Sequence, residues 1–171
     1  MDSNQWEVTN EDWIAFTYQL NIESDRGVAL VGSEMLSQLL KGLIGKKLLP
    51  DPKTRNKILT NVGSPVSTFS SRIELAYGMG LISNDEYHDL TIIRKIRNSL
   101  AHSIKEKYFA DEDIKNKINE LRIPRLSEYS YSEVPRKNFI NGSSMVAAFI
   151  SMRTSEDYPD VNNPKRIIYE R

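Results

Sequence analysis

"SNDEYHDLTIIRKIRNSLAH", residues 83 to 102, is the stretch on which the fold turns. At the helical turn of about 100° per residue, Ile92, Ile93, Ile96 and Leu100 collect on one side, and Ile104 continues the spacing. Ser83 with Glu86 three residues later is a capping box, in which each side chain satisfies the other residue's backbone amide. The pattern predicts a helix from 83 to about 104 with one face buried.

Working outward, "TFSSRIELAYGMG" (68 to 80) reads as a helix ending near Gly80 and joined to the first by a tight turn. Gly78 and Gly80 have no phosphate-loop spacing and are expected to serve helix packing and termination. Further upstream, "DRGVALVGSEMLSQLLKGLIGKKLL" (25 to 49) carries Val28, Val31, Met35, Leu36, Leu39, Leu40, Leu43 and Ile44 at helical spacing. Ser24 or Asp25 is its N-cap, lysines occupy its last turn, and Pro50 and Pro52 end it. A short amphipathic segment near 53 to 60 and a loop at 61 to 65 follow, while Asn10 and "EDWIAFTYQL" suggest a short first helix. Downstream, Asp111 caps a helix running to about 121, residues 122 to 135 form an aperiodic connection, and 136 to 152 regain an apolar stripe through Phe139, Met145, Val146, Phe149 and Ile150. The expected architecture is an all-α, single-domain multi-helix bundle. It comprises an N-terminal segment (1–23) with a short helix, a helical domain (24–153) and a loosely ordered C-terminal tail (154–171).

Composition narrows the chemistry. The 171 residues, 39% hydrophobic and 27% charged, suit one soluble globular domain that needs no disulfide or metal for its core. No run of 18 or more apolar residues is present and the N-terminus is acidic where a signal peptide would be basic, so a cytoplasmic protein with no membrane association is expected. The absence of cysteine removes thiolate chemistry and cysteine zinc sites, and two histidines leave little for a histidine site; no metal and no cofactor are expected. With 23 basic and 23 acidic residues, charge alone would not coat nucleic acid.

The side of the 83–104 helix opposite the isoleucines presents Tyr87, Thr91, Arg94, Asn98 and Lys105 as a binding face, with Arg97 and His102 on its flanks. Such a face is most simply a solvated surface. It also holds what metal-free RNA cleavage requires: His102 as a base titrating near neutrality, Arg97 as a fixed cation for phosphorane charge, and Asn98, four residues from His102, to orient the imidazole. Two copies paired through this helix would bring an Arg and a His from each chain to one cleft. His88 reads as a surface residue, "DED" (111 to 113) as first-turn capping, and Met35, Met79, Met145 and Met152 as core filler. A DNA-reading helix-turn-helix over 67 to 104 is disfavoured, because Asp85 and Glu86 would face phosphates at the recognition helix N-terminus.

"SDRGVALVGSEMLSQLL", "STFSSRIELAYGMGLISNDEYHDLTIIRKIRNSLAH", "ADEDIKNKI" and "RKNFINGSSMVAAFI" together resemble the mannitol operon repressor family of bacterial regulators, in order across about 24 to 152. The resemblance implies an all-α, oligomeric protein that represses a carbohydrate operon, in a family without an obvious DNA-binding motif. The same helix also resembles the R-x4-6-H signature of the HEPN (higher eukaryotes and prokaryotes nucleotide-binding) superfamily, with Arg97, Asn98 and His102 at the matching positions. Some toxins of that superfamily place a tyrosine acceptor two residues after the histidine, and Ile104 stands there in this chain. Two functions of different class follow. The leading one is a non-catalytic regulator, a homodimer exerting negative control through DNA or a protein partner. The alternative is a metal-independent endoribonuclease in a toxin or defence role, using Arg97 and His102 at a dimer interface.

Overall fold

The computed structural model describes residues 10–48, 51–61, 63–126 and 131–154. They form seven α-helices and one short 3-10 helix, with no strand among the described residues. The element order is α1 (Asn10–Ile22), α2 (Asp25–Lys47), α3 (Pro52–Leu59), α4 (Phe69–Gly78), α5 (Asn84–Ala101), α6 (Glu112–Asn119), the 3-10 helix (Ile123–Leu126) and α7 (Pro135–Thr154).

Helix α2 is the hub because both its apolar residues and its small ones face inward. Val28, Ala29, Leu36, Leu39, Leu40, Leu43 and Ile44 are buried, as are Gly32 and Ser33, and α1, α3, α4, α5 and α7 all pack against it. By length and composition α2 could cross a membrane, yet 67% of its apolar window is buried inside the bundle, as in a core helix. Ser24 is its N-cap, accepting from the Gly27 amide. Asp25 in the first turn accepts from the Phe109 amide at 2.7 Å and pairs with Arg136 at 2.6 Å. Arg136 also donates to the carbonyls of Leu20 and Glu23, so one carboxylate and one guanidinium join α1, α2, the loop before α6 and the start of α7.

Helix α4 stops through a Schellman motif. Gly80 lies at φ +71°, its amide donates to Tyr77 and the Leu81 amide donates to Ala76. A methyl on Gly80 would meet no atom within 4 Å, so its requirement for glycine is conformational. Gly78 also faces open space and contributes no packing, contrary to the sequence expectation. At Gly142 the reason is contact: a Cβ there would lie 3.0 Å from Pro124 Cγ and 3.2 Å from Leu121 Cδ1, where α7 crosses the 3-10 helix.

The capping box of α5 is formed as expected, with Glu86 Oε2 accepting from the Ser83 amide at 2.6 Å and Ser83 Oγ accepting from the Glu86 amide. The helix ends at Ala101, earlier than its apolar spacing suggests. Arg26 takes the Ser103 carbonyl, and Phe109, stacked on Phe139 at 4.7 Å, is buried, which draws residues 103–109 back across the start of α2. Ile104 therefore leaves the core and is fully exposed. Ile92, Ile93, Ile96 and Leu100 are buried as read. Met79 and Met152 are exposed rather than core filler, whereas Met35 and Met145 pack against the core. Asp111 occupies the α6 N-cap position, but its carboxylate accepts from the Tyr108 amide and makes no capping bond within the helix. Pro50 and the tail from 155 onward lie outside the described residues.

Candidate functional site

The polar residues of α5 divide by depth. In its first turns Glu86 and Asp89 are fully buried. Glu86 Oε1 pairs with Arg153 of α7 at 2.8 Å, which ties the capping box to the last helix. Asp89 accepts from the amides of Arg122 and Ile123 and so caps the 3-10 helix. His88, half-buried rather than on the open surface, places Nδ1 3.0 Å from Asp89 Oδ1. Burial pushes the Asp89 carboxyl above the ordinary carboxylate range, against the pull of those hydrogen bonds.

Other polar side chains of α5 are half-buried. Tyr87 stacks on Tyr77 at 4.3 Å and donates to both oxygens of Glu74 at 3.1 Å. The Glu74 hydrogen bond pushes the Tyr87 phenol up, because ionisation would set a phenolate against a carboxylate. Thr91 is half-buried beside it. Arg94, Arg97 and Asn98 line a cleft of about 490 Å³ bounded by α2, the start of α4 and α5. Arg97 Nη1 donates to Asn98 Oδ1 at 3.1 Å, so the amide engages the arginine. The expected pairing of Asn98 with the His102 imidazole is absent: the only contact between them is the His102 amide on the Asn98 carbonyl. His102 is the C-cap of α5, exposed and outside the cleft. Lys105 is exposed beyond the helix end and does not share the face of Tyr87, Thr91 and Arg94. Among the described residues no group of three His, Asp or Glu side chains is placed to hold a metal.

Sequence reading missed the other two walls of the cleft. From α2 come Ser33, Glu34 and Ser37, and from the start of α4 come Thr68, Phe69, Ser70 and Arg72. Arg72 is buried and donates to the carbonyls of Val66, Leu59 and Ser37 and to Ser37 Oγ. Burial pulls its guanidinium below the usual value, with Glu34 acting in the opposite direction. A signal was present: Phe69, Arg72, Ile73 and Ala76 share one face of α4, so a charge stood in an apolar stripe.

The mannitol repressor family matches residues 55–156 of this sequence, a span that holds the α4–α5 hairpin, α6 and all of α7. The chain belongs to the mannitol repressor family. The mannitol operon repressor of Escherichia coli K12 is 35% identical over 57 residues, which cover 33% of this chain and 29% of that protein. The repressor of Escherichia coli O6:H1 matches to the same extent, so the alignment spans under a third of these curated relatives. Among solved structures, a chain of the MtlR–HPr complex from Escherichia coli superposes with a TM-score of 0.66 at 20% identity, over 81% of this chain and 97% of that one. A possible transcriptional regulator, YggD of Shigella flexneri 2a, gives 0.65 at 12% identity, over 91% and 99%. At these identities the superpositions establish the mannitol repressor fold, all-α as read from the sequence.

Proposed function

We propose that this protein is a non-catalytic regulator exerting negative control of gene expression by docking onto a protein partner. The observation that carries the reading is family membership across 55–156, joined to a fold shared with a chain crystallised together with HPr. Balanced charge and the internal use of Glu86 and Asp89 at the start of α5 leave little for a groove-reading element. The polar side of α5, with Tyr87, Thr91 and Arg94, is the contact surface this reading favours, and a homodimer its assembly state. The endoribonuclease alternative finds less support, since Arg97 and Asn98 line the cleft and His102 does not.

The test is calorimetric titration with purified Escherichia coli HPr, beside a DNA-retention assay at low and high salt. Saturable heat with HPr that Arg94→Glu reduces is the expected result. Silence with HPr together with retention on DNA that falls steeply with salt would replace the protein-partner reading by a DNA-binding one.

A further inference from the structure

The cleft beside α5 has features that docking of a protein does not call for. Three guanidiniums, of Arg72, Arg94 and Arg97, border it against a single carboxylate, Glu34, leaving two positive charges over. Glu34 Oε1 is already engaged by Gln38 Nε2 at 2.6 Å. The start of α4 forms another part of the wall. Its N-cap, Thr68, takes the Ser71 amide, while the amides of Phe69 and Ser70 have no acceptor inside the helix, as at any helix start. Independently, Ser33 lines the same cleft from α2, only 4% exposed, and its hydroxyl has no hydrogen-bond partner among the described residues. A buried hydroxyl left unmatched in a packed protein marks a place where a partner atom belongs.

We propose that this cleft is a binding site for a small phosphomonoester, held as a dianion between the Arg94 and Arg97 guanidiniums and the first amides of α4, with the Ser33 hydroxyl completing its shell. Charge and geometry agree on this class. A dianion matches the excess of two positive charges, and a tetrahedral group of acceptors suits both guanidinium forks and helix-start amides. Asn98 Oδ1 holds Arg97 at the cleft wall through the 3.1 Å bond. The cleft volume of about 490 Å³ exceeds what bare phosphate fills and falls in the range of small-molecule sites, and Leu30 and Phe69 offer apolar lining for an organic body. This goes beyond the regulatory reading, because it gives the chain a chemical input whichever macromolecule it acts upon.

The experiment is calorimetric titration of the full chain, at constant ionic strength, with inorganic phosphate, phenyl phosphate and phenol. An RNA oligonucleotide lacking a terminal phosphate is titrated separately. Saturable binding of phenyl phosphate, weaker binding of inorganic phosphate and none of phenol is the expected order. Arg94→Gln and Arg97→Gln should each weaken phenyl phosphate about tenfold, the loss of one charge-assisted hydrogen bond, and Ser33→Ala should weaken it about threefold. Lys115→Gln, which removes an exposed α6 charge, should leave affinity unchanged. Circular dichroism melting establishes that each variant is folded, and in nitrogen-labelled wild type the Phe69 and Ser70 amide resonances should shift with phosphate. The proposal is overturned by no saturation at about 10 mM phenyl phosphate, far weaker than charge-assisted contacts imply. Affinity indifferent to Arg97→Gln overturns it equally. Binding of the RNA alone would do so as well and would make the cleft an RNA interface.

Discussion

The two ends of α5 carry equally polar sequences and are used in opposite ways. At its start, Ser83, Glu86 and Asp89 are buried and every carboxylate oxygen is engaged, by backbone amides, by His88 or by Arg153. At its far end, Arg94, Arg97 and Asn98 are half-buried, lie on a cleft and bind little of the protein besides one another. The difference comes from what crosses the helix. The C-terminal end of α7 and the 3-10 helix close over the first turns, while the later ones face a gap between α2 and α4. Polarity on a helix thus does not by itself mark a working surface; a packed neighbour turns it into mortar.

That contrast can be broken most sharply at Glu86. Truncating it to Ala strips both the capping box and the partner of Arg153, and should lower unfolding free energy by about 3–5 kcal/mol in urea titration, the range for a buried charge left alone. A loss under about 1 kcal/mol would mean that the first turns are no more structural than the last ones.

Asp89→Asn should cost about 1–3 kcal/mol, because one of the two oxygens that accept from the Arg122 and Ile123 amides becomes an NH2 donor facing them. Its pH dependence has a definite sign. Because burial raises the folded-state pKa of Asp89, the folded chain holds that proton more tightly than the unfolded chain does. Its contribution is fullest below the unfolded value and fades as pH rises through the folded one. The deficit of the Asn variant should therefore be larger in acid than at neutrality, read from urea melts of both proteins across pH.

Gly80→Ala should cost about 1–2 kcal/mol, since an L-residue must hold a left-handed conformation there. Gly78→Ala, with the same open space but ordinary helical backbone, should instead stabilise by about 0.5–1 kcal/mol. Melting temperatures of the pair would separate conformation from packing. The smallest effect is expected at the open end: His102→Ala should move stability by no more than about 0.5 kcal/mol, as for any exposed site without a partner to lose.

What could be read from sequence was what is decided locally. The Ser83–Glu86 box, the stop at Gly80, a cap at Ser24 or Asp25 and the isoleucine face each depend on residues within a turn or two of one another. The end of α5 was misplaced because Ile104 keeps the helical spacing, while Arg26 and the burial of Phe109 decide against it from 77 residues away and from across the bundle. The cleft was half visible for the same reason. Arg94, Arg97 and Asn98 share one helix, whereas Ser33, Ser70 and Arg72 reach them only after α2 and α4 have packed. The spacing within α5 shows Glu86 as a cap, while its partner Arg153 lies 67 residues further on.

The Asp25 junction also imposes an order of assembly. Its carboxylate waits for an amide 84 residues downstream and a guanidinium 111 residues downstream. During synthesis the first turn of α2 is made well before either of these partners. Only when the chain has been extended past Arg136 can α1, α2 and α7 be fastened together at this junction, a long-range contact of the kind that slows folding.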